Sequence, residues 1–231
     1  MTHELKTPIF TISIASRMMG EQAGNGATEK NNSFLQSIRQ ETDRLKNLVE
    51  TVLETATLQQ KQVVFEKTTL DLHELIRQSV ETFQPVAWQQ QGEVILQLEA
   101  ATPYIYANQL QISNMLNNLL DNAFKYTTVH PQIILSTTNQ QHYIVCSIKD
   151  NGLGMDEDTQ ALIFERFYRA STGNLHQVKG YGIGLSYVQS VVIAHDGRIL
   201  VKSAPNKGSE FIIQLPTVNN GQQHSYPAGG R

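Results

Sequence analysis

Two hydrophobic periods divide this chain near residue 62, and they demand different folds. In residues 1–61 apolar side chains return at helical spacing twice. Leu5, Ile9, Ile12 and Ser16/Met19 mark one helix. Phe34, Ile38, Leu45, Leu48/Val49, Val52 and Ala56 mark a second. The break Gly24-Asn25-Gly26-Ala27-Thr28 makes the pair a helical hairpin. Each helix has one narrow apolar stripe, and two helices alone leave much of it exposed. Pairing two hairpins into a four-helix bundle buries it, so the spacing predicts a homodimer. The polar run Gln59-Gln60-Lys61-Gln62 separates the hairpin from the remainder of the chain.

From Val63 onward strands and helices mix. The patterns predict strands at Val63–Phe65, Val94–Leu98 and Tyr104–Tyr106. They predict helices at Leu72–Gln90, Asn108–Tyr126, Asp156–Phe164 and Gly184–Ala194. Ile133–Thr137 and Tyr143–Asp150 read as a hairpin around Asn139-Gln140-Gln141, and Arg198–Ser203 with Glu210–Leu215 as another, turning at Pro205-Asn206-Lys207-Gly208. This order predicts an α+β fold with helices on one face of a mixed sheet. Residues 63–216 form that second unit, and a polar tail read as disordered occupies 217–231.

Composition excludes some functions. A net charge of −3 gives no nucleic-acid surface. The single cysteine, Cys146, lies in an apolar strand and reads as a core thiol in a reducing compartment. No apolar run is long enough to span a bilayer, and no signal peptide is visible. The chain opens on a helix-like Met-Thr-His-Glu-Leu, which reads as a piece cut from something longer.

The chemistry concentrates in four clusters. In the Asn108–Tyr126 helix, Ile112, Leu116, Leu119 and Ala123 form one buried stripe, while Asn114, Asn118, Asp121, Asn122 and Lys125 recur on the other side. Asparagine is a poor interior helix residue, and the four at 114, 117, 118 and 122 cost about 2 kcal/mol against alanine. A face that only had to be wet would use Glu, Lys or Gln. Amide oxygens with a lysine one turn on suit Mg²⁺ carrying phosphates. In Asp150-Asn151-Gly152-Leu153-Gly154-Met155, two glycines let a flat ligand approach the backbone, and the carboxylate can accept from an amino group. In Gly180-Tyr181-Gly182-Ile183-Gly184-Leu185-Ser186, alternating glycines open a helix N-terminus, which suits phosphate. In His3-Glu4-Leu5-Lys6-Thr7-Pro8, Thr7 lies one turn from His3 on the same face and Pro8 bends the helix just past it. Glu4 points about 100° away from His3, so helix geometry alone does not pair them.

Taken in order, these clusters resemble the transmitter core of a sensor histidine kinase of two-component signalling. His3–Pro8 matches the H-box, Asn118–Tyr126 with Thr127 the N-box, and Asp150–Met155 the first glycine box. Phe164-Glu165-Arg166-Phe167-Tyr168-Arg169 looks like the F-box, and Gly180–Leu185 matches the second glycine box. The resemblance covers the chain from residue 3 to about 215. It implies a dimerisation and phosphotransfer hairpin at 1–61 and an ATP-binding α/β sandwich after it. His3 would take the γ-phosphoryl group, with Glu4 as base or orienter of the ring. Asn122 would give an oxygen to Mg²⁺, with Asn118 beside it near the reacting groups. Lys125 and Arg169 would neutralise phosphate charge. Asp150 would accept the adenine amino group, with Tyr126 near the nucleotide. Gly152, Gly154, Gly180, Gly182, Gly184 and Leu185 would line the nucleotide site, and residues 168–183 would form a mobile lid.

Thr7 would orient the water that dephosphorylates a response-regulator receiver domain. The implied cofactors are ATP and Mg²⁺; the implied partners are a second copy and that regulator. The fragment would work in the cytoplasm, held at the inner membrane only through an upstream region. Three departures stand out: Ile183 where the family usually has Leu, Ala107-Asn108 where Gly-Asp is common, and His195-Asp196-Gly197 where His-Gly-Gly is common. A topoisomerase-class ATPase and an ATP-binding scaffold share the nucleotide motifs, but they leave His3–Pro8 without a purpose or without chemistry.

Overall fold

The structure is a computed structural model that describes residues 10–18, 34–36, 38–39, 41–42, 66–127, 130–169 and 182–218. The expected strand at Val63–Phe65, most of the hairpin, and residues 170–181 of the expected lid lie outside them. Residues 10–18 are helical, as are the described residues between 34 and 42. In the first helix Ala15 is buried and Ile12 half-buried, while Ser16, expected on the inner stripe, is exposed. A second apolar line lies outside: Phe10, Ile14 and Met18 are 66%, 42% and 40% exposed at helical spacing.

The second unit runs β1 (Thr68–Asp71), α1 (Leu72–Gln89), β2 (Glu93–Leu98), β3 (Tyr104–Ala107), α2 (Gln109–Lys125), β4 (Gln132–Gln140), β5 (Tyr143–Lys149), α3 (Glu157–Leu162), α4 (Gly184–Ala194), β6 (Arg198–Ser203) and β7 (Ser209–Pro216). A five-stranded sheet has the order β2-β4-β5-β7-β6. It is mixed, since β2 runs parallel to β4 and the other pairs are antiparallel. β1 and β3 form a separate antiparallel pair. β1 was not expected; Thr-Thr-Leu-Asp is too short to show a period of its own.

Caps place the helices. Asp71 accepts from the N–H groups of His73 and Glu74 to start α1, Asn108 accepts from Gln111 to start α2, and Asp156 accepts from Thr159 to start α3. The expected Asn108–Tyr126 helix is therefore right to its two capping residues. α1, α2 and α4 cover one face of the sheet. Ile133, Leu135, Ile144, Cys146, Ile148, Phe211, Ile213 and Leu215 meet Ile112, Leu116, Leu119 and Val191 there, all buried. Each such side chain contributes about 1.5–3 kcal/mol. Burial also pushes the Cys146 thiol up to about 12, so it is a core group.

One hairpin turn is later than expected. β4 continues through Gln140 because Asn139 is used elsewhere: its Oδ1 accepts from the Thr102 N–H at 2.9 Å, and its Nδ2 donates to the Thr102 carbonyl at 3.0 Å. At the far end, Thr217 donates to the His142 carbonyl and Val218 to that of Tyr104. The tail expected from 217 thus begins no earlier than 219.

Candidate functional site

The first glycine box is built by backbone. β5 ends at Lys149, and Asp150 is 7% exposed. Its Oδ1 accepts from the Gly152 N–H at 2.8 Å and the Ser209 N–H at 3.1 Å. Among the described residues no hydrogen bond reaches Oδ2. Burial pushes the carboxyl above its usual range, and the two N–H groups pull it part of the way back. A buried carboxylate with one oxygen tied and one open is an acceptor waiting for a donor. Gly154 turns the chain with φ +64, and a Cβ there would lie 1.9 Å from the Ala204 carbonyl oxygen. The β6–β7 turn thus packs onto this loop. That contact, with the Ser209 bond, is invisible in the sequence, where 205–208 reads only as a turn.

Opposite lies α2. The Leu153 N–H donates to the Tyr126 carbonyl at 3.1 Å, which ties the glycine box to the helix C-terminus. Thr127 is buried and its hydroxyl donates to the Ala123 carbonyl at 2.8 Å. Asn114, Asn118 and Asn122 are half-buried. Asn118 is not loose: its Nδ2 donates to the Asn114 carbonyl at 2.8 Å. Its Oδ1 lies against Gly184, where a Cβ would sit 2.7 Å away. Gly184 therefore makes room for Asn118. The Asn122 side chain makes no hydrogen bond among the described residues. Lys125 pairs with Asp121 one turn back. Burial raises the Tyr126 phenol, and the Arg169 guanidinium lowers it, which places Arg169 in the field of the helix end.

The second glycine box starts α4, whose N-terminus has no side-chain cap. Its first-turn N–H groups are oriented for an anion. The Phe167 N–H donates to the Gly182 carbonyl at 2.8 Å, so the F-box and this glycine box meet. Leu185 is half-buried beside them. Asp150, Gly152, Gly154, Asn118, Asn122, Lys125, Tyr126, Arg169, Gly182, Gly184 and Leu185 thus fall on linked elements. His3, Glu4, Thr7 and Gly180 lie outside the described residues.

Among the described residues no three His, Cys, Asp or Glu side chains gather as a metal site. A divalent ion here would rest on the Asn122 amide oxygen, with its other positions left to phosphate and water. Mg²⁺ is held that way when a nucleotide carries it, so the donor set fits.

The family described as histidine kinase-, DNA gyrase B- and HSP90-like ATPase matches residues 107–219, and the His Kinase A (phospho-acceptor) domain matches residues 1–61. The sensor protein RprX of Bacteroides fragilis is 38% identical over 222 residues, which are 95% of this chain and 43% of that protein. The chain thus spans less than half the length of this relative. A full-length ShkA structure in complex with AMPPNP superposes with a TM-score of 0.72 at 23% identity, over 91% of this chain and 46% of that one. The histidine kinase ThkA in complex with response regulator protein TrrA gives 0.70 at 21% identity, over 96% and 61%. At these identities the two structures bear on the fold alone.

Proposed function

Because the chain belongs to the sensor histidine kinases, as the part that joins a phospho-acceptor hairpin to an ATP-binding domain, we propose that it transfers the γ-phosphoryl group of ATP to His3 and then to an aspartate of a response regulator. The observation that carries this reading is the Asp150 carboxylate, tied by one oxygen and open at the other, in a loop bonded through Leu153 to Tyr126 at the end of the helix that carries Asn122 and Lys125. Asp150 accepts the adenine amino group, and burial makes that bond selective for a donor. Asn122 holds the magnesium ion that accompanies the phosphates, and that ion supplies charge neutralisation during transfer. Lys125, Arg169 and the open first turn of α4 hold phosphate oxygens. Asn118, fixed between its own helix and Gly184, orients the reacting end. His3 is the nucleophile and Glu4 orients or deprotonates its ring.

The units are 1–61 for phosphotransfer and dimerisation and 63–216 for nucleotide, with a polar tail from 219. The exposed line of Phe10, Ile14 and Met18 supports a homodimer through the hairpin, because a lone helix pair leaves it in water. The regulator docks on the hairpin near His3, and Thr7 orients water for its dephosphorylation. The core works in the cytoplasm, and any membrane anchor belongs to a region upstream. Among the described residues no helix is long and apolar enough to cross a membrane.

The test is incubation of the chain with Mg²⁺ and γ-labelled ATP. Acid-labile, alkali-stable label that disappears in His3→Gln supports the kinase. Free phosphate without protein label favours an ATPase, and neither product favours a scaffold. Thr7→Ala should keep the label and lose only the decay of phosphorylated regulator.

A further inference from the structure

Asn108, one of the departures from the family pattern, is bonded in this fold to His195, whose neighbour Asp196 is another. The Asn108 N–H donates to His195 Nε2 at 3.1 Å, and His195, 4% exposed, donates from Nδ1 to the Val191 carbonyl at 2.8 Å. The Asn108 side chain works at both ends. Its Oδ1 accepts from the Gln111 N–H at 3.1 Å and caps α2. Its Nδ2 donates to the Glu66 carbonyl at 3.0 Å. The partners, one N–H and one C=O, fix which end of the amide is which. Beside it the Lys67 ammonium donates to the Ala194 carbonyl at 2.8 Å, at the end of α4. The β1–β3 register, with Thr68 opposite Ala107, brings Glu66 and Lys67 abreast of Asn108.

We propose that Asn108 is a positioning residue that latches the chain arriving from the hairpin onto the first turn of the helix carrying Asn118 and Asn122. The amide does both jobs from its two ends: a carboxylate caps a helix equally well but cannot donate to a carbonyl, and a serine hydroxyl caps but is too short to reach both partners. Glu66 and Lys67 follow the 1–61 hairpin by only four residues in sequence, so these bonds hold the end of the tether that joins it to the nucleotide unit. A displaced tether then pulls on α2 and α4 together. Asn118 and Asn122 lie roughly 15 and 21 Å along the same rigid helix. The latch itself stands on geometry alone. Its consequence for catalysis rests on the kinase reading above.

The experiment uses the whole chain with Asn108→Asp and Asn108→Ser, both of which keep a capping oxygen. Hydrogen exchange should speed up at the β1 amides by about fivefold in both, the factor that one neutral hydrogen bond is worth, while β5 amides keep their rates. ATP affinity should hold, and labelling of His3 at saturating ATP should change at least twofold. Unchanged β1 exchange in both variants overturns the latch. Faster exchange with unchanged labelling overturns its role in positioning. If the wild-type chain never labels His3, the kinase reading fails while the exchange result still decides the latch.

Discussion

The Asp150 carboxylate and the glycines beside it are set by main chain. Two N–H groups hold the carboxylate, the Tyr126 carbonyl holds Leu153, and the Ala204 carbonyl packs against Gly154. Along α2 the groups are side chains on one helix. Asn122 has no hydrogen-bonded partner among the described residues, Lys125 leans on Asp121, and only Asn118 is fixed. The first set is preorganised before any ligand arrives; the second is completed by what it binds. Preorganised groups cost little to use. Exposed ion pairs are worth only about 0–1 kcal/mol, so Lys125 can leave Asp121 for phosphate cheaply. Binding energy should therefore sit mostly at the Asp150 end, and the consequences of charge transfer at the α2 end.

The largest expected effect attacks the backbone-built end. Gly154→Ala forces a Cβ into a carbonyl oxygen at positive φ, where strain and overpacking each cost about 1–3 kcal/mol, so the variant should unfold at much lower temperature or fail to fold. A melting curve equal to wild type would break the comparison at once. Asp150→Asn comes next and separates function from fold. Nucleotide affinity should fall about ten- to hundredfold, the loss of a hydrogen bond to a charged group. Melting at neutral pH should be unchanged or higher. Because burial raises this carboxyl above its ordinary value, its ionisation costs stability, so its contribution is present at low pH and lost as pH rises through the folded value.

Gly184→Ala probes the fixed side chain at the other end. The clash is with a movable amide oxygen, so the fold should hold, and alanine even favours the helix. Pushing Asn118 off its rotamer costs about 0.5–1.5 kcal/mol, so labelling of His3 should slow about three- to tenfold.

A smaller effect is acid lability. Burial is the main cause holding His195 below its ordinary 6.5, with Val191 and Asp196 opposing it and Lys67 adding to it; burial also leads the lowering at His73. The neutral forms are the folded ones. A depressed folded value means their stabilisation is complete above 6.5 and is lost as pH falls through the folded values. Melting temperature should drop below that pH, and less steeply in His195→Gln. An equal slope would remove His195 from the account.

The same contrast explains what could be read from the sequence. Side-chain chemistry on a periodic helix is local, so the α2 face, its boundaries and its stripe at Ile112, Leu116, Leu119 and Ala123 were legible. So were the glycine boxes, each a short run with its own turn chemistry. Contacts that join distant segments leave no local mark. Ser209 at Asp150, Gly184 against Asn118, and Asn108 with His195 and Glu66 depend on topology that periodicity does not carry. Ser16 shows the limit inside one helix: spacing suggested the inner stripe, yet a second apolar line at Phe10, Ile14 and Met18 competes for the same helix. The Asn139 amide moved a turn for a similar reason, because Thr102 lies 37 residues away in sequence.

The division of labour between the two ends is open to one titration. ATP and adenosine are titrated in turn into the wild-type chain, Asp150→Asn and Lys125→Met, with calorimetric detection. Asp150→Asn should weaken both ligands by a similar factor, because it acts on the base that they share. Lys125→Met should weaken ATP about two- to fivefold and leave adenosine untouched, as an exposed charge acting on phosphate would. Wild-type affinity for both ligands in Asp150→Asn, or an adenosine loss in Lys125→Met equal to that for ATP, would contradict the account.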